Sequence, residues 1–177
     1  MVLLAISEGR PISVDELRNR LASSEDKQPG APNVRTCVSC LRAALPEGVL
    51  PDKGTDAGYL LPGDDVEVDW DTFRALAERA RRVEGEDRLE LAGRALALIR
   101  GPVLAHKTWH GVDQAVYHMT VAISELAAET AAEALAIGRA DLAERAGRQG
   151  LLGAPGTPKL WQARIDAAKA GSGESVA

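Results

Sequence analysis

Along the first sixty residues, short apolar stripes alternate with polar turns. Val2, Leu3 and Ile6 share a face of an opening helix, and Gly9 ends it as a C-terminal cap. Pro11-Ile12 interrupts the chain. Ser13, three residues before Glu16, predicts a capping box, and Ile12 is placed to act as a hydrophobic staple. The helix it opens runs over about 14–21, with Val14, Leu17 and Leu21 inward. A polar loop with proline and glycine follows. A third helix is expected from Asn33, capped after Pro32, with Val34, Val38, Leu41 and Leu45 as its stripe and Pro46 as its stop. Val49-Leu50 and Tyr59-Leu60-Leu61 read as the strands of a β-hairpin around a turn-rich tip.

PGDDVEVD, residues 62–69, reads as a linker or a short edge strand, and after it the pattern becomes uniformly helical. Segments over about 70–84, 86–99, 112–137, 140–150 and 158–170 have apolar positions at helical spacing, separated by Gly85, Gly101-Pro102 and Gly138. Successive helices joined by short glycine turns suggest stacked α-hairpins of the tetratricopeptide-like kind. The predicted fold is therefore mostly α, a helix-turn-helix with a small hairpin wing and then stacked α-hairpins. Its domains are 1–62, 63–170 and a frayed tail over 171–177.

Composition adds that the packing is made of small side chains. Of 177 residues, 30 are alanine and only six are aromatic. The formal charge of −5 divides into −1 for residues 1–62 and −4 for the rest. Neither part has the basic excess of a strong nucleic-acid binder, so any phosphate contact must come from a local patch. No apolar run has the length of a membrane span. The start lacks a basic n-region and a small-residue cleavage site, so it does not read as a signal peptide. With only two cysteines there is no disulfide framework, and a reducing cytoplasm is the expected location.

Helix, turn, helix, third helix and hairpin is the order of a winged helix, in which the third helix enters the major groove. At about 100° per residue, Arg35, Thr36, Ser39 and Arg42 share a face away from the aliphatic stripe. Arginine bonds guanine through two donors, and serine or threonine reaches bases or phosphates. Lys53 and Thr55 at the wing tip are placed to touch phosphate, although Asp52 and Asp56 beside them repel it. Few phosphate contacts imply weak binding and a shallow salt dependence. Arginines on a helix are also commonly a solvated face, and Arg42 has the alternative of pairing within its own domain.

The segments RPISVDELRNRL, NVRTCVSCLRAAL and DAGYLL resemble the OmpR-type winged helix of Streptomyces antibiotic regulatory proteins. Val38, Leu41, Arg42 and Leu45 fall on the family's recognition-helix pattern, and Gly58, Tyr59 and Leu61 on its second wing strand. VEVDWDTFRALAERAR, RALALIRGPVL and Trp109 resemble the start of the bacterial transcriptional activator domain that follows. Ala57 stands where the family has the first of two glycines, the chain begins inside the first helix, without the usual preceding sheet, and the helical part is shorter. The resemblance implies a transcriptional regulator that binds double-stranded DNA, pairs as a homodimer and contacts RNA polymerase; the short apolar runs separately imply no membrane contact from this segment. The other expectation is an adaptor: a winged helix that no longer binds DNA, in the C-terminal part of a larger protein, with helical repeats that hold a protein partner.

Other constellations point less far. Cys37-x-x-Cys40 has the spacing of half a zinc site or a redox pair, but no second pair accompanies it, and the expectation is two reduced thiols packed against the hairpin or the second helix. His106, His110 and Asp113 have helical metal spacing without a metalloprotease pattern, so a surface or capping role is expected; His118 is isolated. No phosphate loop or nucleophile elbow is present, so neither an enzyme nor a cofactor or metal is expected. Trp70, Trp109 and Trp161 are expected in the core.

Overall fold

The computed structural model describes residues 1–7, 9–22, 28–50, 58–61, 66–105 and 110–173. They form eight α-helices: α1 Val2–Ala5, α2 Val14–Leu21, α3 Ala31–Ala44, α4 Asp69–Ala80, α5 Gly85–Ala97, α6 Asp113–Ala136, α7 Ala140–Gly153 and α8 Pro158–Gly173. A single 3-10 turn, His110–Val112, precedes α6. The chain divides into two compact units. One comprises Met1–Val68 with His106–Ala115; the other comprises Asp69–Ala105 with Val116–Ala177. The linker thus ends near Val68, and a stretch around the 3-10 turn belongs with the N-terminal part, which the hydropathy pattern does not anticipate.

In the first unit, α1 is one turn long. Its inward residues are Leu3 and Leu4, while Val2 and Ile6 are half-buried. The helix stops well before Gly9 because Ser7, itself buried, donates its hydroxyl to the Leu4 carbonyl at 2.7 Å. Ser13 caps α2 as expected: its Oγ accepts from the Glu16 amide at 3.1 Å. The Glu16 carboxylate pairs with Arg20 one turn on. Helix α3 begins at Ala31, before the expected Asn33. Pro32 sits within its first turn, where the missing N–H has no partner to lose and the fixed φ suits a helix. Val34 and Val38 are buried, Leu41 and Leu45 half-buried, and Leu45 turns extended ahead of Pro46. Helix α2 packs against α3 and against the 3-10 turn. At that turn a Cβ on Gly111 would lie 2.6 Å from the Arg20 Cα, so only glycine fits.

The expected hairpin shows no strand pairing among the described residues. Among the described residues Tyr59 pairs with Ile12, not with Val49 or Leu50. The Ile12 and Tyr59 amides each donate to the other's carbonyl at 2.8 Å. The Leu50 carbonyl instead accepts from the Arg42 side chain. The tip of the expected wing, with Asp52, Lys53, Thr55 and Asp56, lies outside the described residues.

In the second unit, α4 packs on α5, α7 on α8, and α5 also meets α7. Phe73, Leu96, Ile123, Leu126 and Leu160 fill the core, and Ala80, Ala95, Ala127, Ala131, Ala134 and Ala143 are fully buried between them. Small residues let helix axes approach closely, which is what the alanine excess provides. Arg88 of α5 spans two glutamates of α6, at 2.7 Å to Glu133 and 2.9 Å to Glu129. Trp70 is half-buried and stacks on Phe73 with ring centroids 5.0 Å apart. Trp161 is not core: it is 52% exposed because its neighbour Leu160 takes the inward position. Trp109 lies outside the described residues. Helix α8 runs on to Gly173, into the stretch expected to fray.

Candidate nucleic-acid interface

Helix α3 is two-sided by construction. Its period puts Val34 and Val38 into the core of the first unit, so the positions between them face outward. Arg35, Thr36 and Ser39 are all exposed. Among the described residues Arg35 has no ion pair. The Thr36 hydroxyl donates to the Pro32 carbonyl one turn earlier at 3.0 Å, which fixes its rotamer and leaves its oxygen as an acceptor. The three side chains thus form a short outward ridge with one cation and two hydroxyls, a set that suits phosphate oxygens and base edges.

Arg42 differs from the other three. It is half-buried, and its Nε donates to the Leu50 carbonyl at 3.1 Å, tying the chain that leaves α3 back onto the helix. Its position beside Leu41 and one turn after Val38, at the edge of the apolar stripe, is the sequence signal for this role. Substituting it tests stability before it tests binding. We expect Arg42→Ala to lower unfolding stability by about 1–2 kcal/mol, since the Leu50 carbonyl loses its donor. Arg35→Ala should stay within about 0.5 kcal/mol of the wild type. Denaturant melts of the two variants side by side check this; equal midpoints would show that the Arg42 bond does not hold the unit together.

Lys53 and Thr55 lie outside the described residues, so the interface has no described contribution from the wing. Both cysteines are exposed on α3, not packed against a neighbour as expected. The outward face extends round the helix from Thr36 to Cys40, one turn later. His106 lies outside the described residues, and the His118 ring meets Tyr117 edge-on at 5.7 Å between centroids. Among the described residues no three potential metal-ligating groups come together. No described helix is long and apolar enough to cross a membrane.

The second unit has a separate concave feature, a groove of about 580 Å³ between α5 and α7. Leu89, Leu142 and Ala146 line it, with Arg94, Arg145 and Arg148 among the polar residues. At the start of α7, Arg139 donates through Nε to Asp141 at 3.0 Å, and this hydrogen bond holds the exposed Asp141 carboxyl below its ordinary range. No family model matches the chain, and no curated protein matches it significantly.

Proposed function

We propose that this chain is a segment of a DNA-binding transcriptional regulator of the kind it resembles. In this reading the first unit is a winged helix that offers α3 to the major groove, with Arg35, Thr36 and Ser39 as the reading residues. Arg42 braces the helix, and Lys53 and Thr55 reach the backbone. The second unit is a tetratricopeptide-like stack that serves dimerisation or polymerase contact. The reading is supported chiefly by the division of α3 into a buried aliphatic edge and an outward edge whose exposed Arg35 has no ion pair among the described residues. The net acidity of the chain makes the interaction local and weak.

Fluorescence anisotropy with a pool of duplexes at about 50 mM salt tests it on the full chain. The expected result is saturable binding that weakens as salt rises. Arg35→Ala should weaken binding by about 1–3 kcal/mol and flatten the preference among duplexes in the pool. A folded protein that binds no duplex in the pool would overturn the reading. A second reading, an adaptor whose helical unit holds a protein partner, is favoured by the groove between α5 and α7. Under it, partner recovery in a pull-down is unchanged by Arg35→Ala.

A further inference from the structure

Cysteine is among the most buried residue types in folded proteins, yet this chain exposes both of its cysteines, and on one helix. Cys37 and Cys40 stand three residues apart, so they are neighbours on the surface of α3. Thr36 precedes Cys40 by one turn and Ala44 follows it by one turn, both exposed and small, so the helix itself does not shield this thiol. In an α-helix, Cα atoms at this spacing lie about 5 Å apart. That is inside the window of roughly 4.4–6.8 Å that disulfides span. The Cβ atoms stand farther from the axis, about 5.5 Å apart in an ideal helix. A disulfide needs them at roughly 3.5–4.5 Å. Closing the pair therefore pulls one turn of α3 out of shape, and a strained, exposed disulfide is of the labile and regulatory kind.

We propose that Cys37 and Cys40 form a reversible thiol switch on α3, in which a low-molecular-weight disulfide oxidises the pair to an intrahelical disulfide and reshapes the face that bears Arg35, Thr36 and Ser39. The chemistry is two successive exchanges. One cysteine thiolate attacks the small disulfide, forming a mixed disulfide and releasing one small thiolate. The second cysteine thiolate attacks the protein-bound sulfur of the mixed disulfide, forming the Cys37–Cys40 bond and releasing the second small thiolate. The two cysteines lose two protons and two electrons; the small disulfide gains them as two thiols. The regulatory consequence rests on the DNA-binding reading above, whereas the dithiol chemistry does not.

The experiment has two arms on the full chain. In the first, reduced protein is incubated with oxidised glutathione and weighed intact. The expected product has lost the mass of two hydrogens and retains no glutathione, while Cys40→Ser retains one glutathione on Cys37. Glutathione left on both thiols, or disulfide-linked dimers as the main product, would overturn the proposal. In the second arm, duplex affinity is compared for reduced, oxidised and re-reduced protein. Oxidation should weaken binding about tenfold, the scale of one bidentate hydrogen-bonded pair at a base edge, and reductant should restore it. The doubly substituted Cys37→Ser, Cys40→Ser protein should bind like the reduced wild type and ignore glutathione. Oxidised protein that binds as tightly as reduced protein overturns the switch. If the reduced protein binds no duplex, the DNA reading and the regulatory half fall together, and the mass measurement still decides the dithiol site.

Discussion

Gly58→Ala is expected to destabilise the first unit strongly while the helices of the second keep their protection. Gly58 has φ +121, a conformation that side-chain-bearing residues rarely adopt. A Cβ there would lie 2.2 Å from the Ile12 carbonyl oxygen and 2.6 Å from the Ser13 amide nitrogen. Both are backbone atoms, so no rotamer change relieves the contact. The chain would have to separate at the Ile12–Tyr59 bridge, which also positions the Ser13 cap and so the start of α2. Steric and conformational costs together come to about 3 kcal/mol or more. Amide exchange should accelerate roughly a hundredfold across α2 and α3, at about 1.4 kcal/mol per decade, and change little in α7. Gly9→Ala is the control. Gly9 also has positive φ, +72, but a Cβ there meets nothing within 4 Å. It carries only the conformational cost, about 1 kcal/mol. Equal effects of the two substitutions would mean that the close approach of Gly58 to Ile12 contributes nothing.

The helices were legible in the sequence where their signals are local and repeated. Ser13 and Glu16 mark the start of α2 because a cap bond spans only three residues. Val34 and Val38 mark the inner edge of α3 because a buried stripe repeats with the turn. Pro32 is ambiguous by nature: it breaks a helix in its interior and favours one in its first turn, so the start of α3 shifts by two residues. The partner of Tyr59 is a single residue far away in sequence, and one bridge has no period to read. Gly111 gives no sequence signal of its contact with α2, because the constraint lies in the distant Arg20 backbone. Among the candidate reading residues, exposure at Arg35, Thr36 and Ser39 follows from the helical wheel. The wheel also puts Arg42 beside the apolar edge, but not opposite the Leu50 carbonyl, since that depends on where the chain goes after Pro46. Trp161 shows the limit of residue type as a guide: on α8 the inward position belongs to Leu160, and the larger side chain stays outside.

Gly150→Ala should destabilise the second unit by about 2 kcal/mol, although alanine is the better helix former by roughly 1 kcal/mol. Gly150 lies in the last turn of α7, where a Cβ would come within 2.5 Å of the Ala127 Cβ on α6 and 3.0 Å of a Leu160 methyl on α8. The leucine can turn aside, but the alanine carbon is fixed to its backbone, so α6 and α7 must part or bend. Gly93→Ala measures the propensity gain alone. Gly93 is an exposed position of α5 where a Cβ meets nothing within 4 Å, and the substitution should stabilise by about 0.5–1 kcal/mol. Removing the opposing carbon supplies the decisive comparison. Ala127→Gly alone should cost about 1 kcal/mol in helix propensity, with a further amount for the void it leaves. The double variant Ala127→Gly, Gly150→Ala moves the methyl from α6 to α7 and should cost less than the two single changes added, with a coupling of about 1–2 kcal/mol. Urea unfolding followed by helical circular dichroism gives all four corners of the cycle. Strict additivity would place the steric conflict elsewhere and would remove the reason why glycine, and not alanine, occupies the point where α6, α7 and α8 meet.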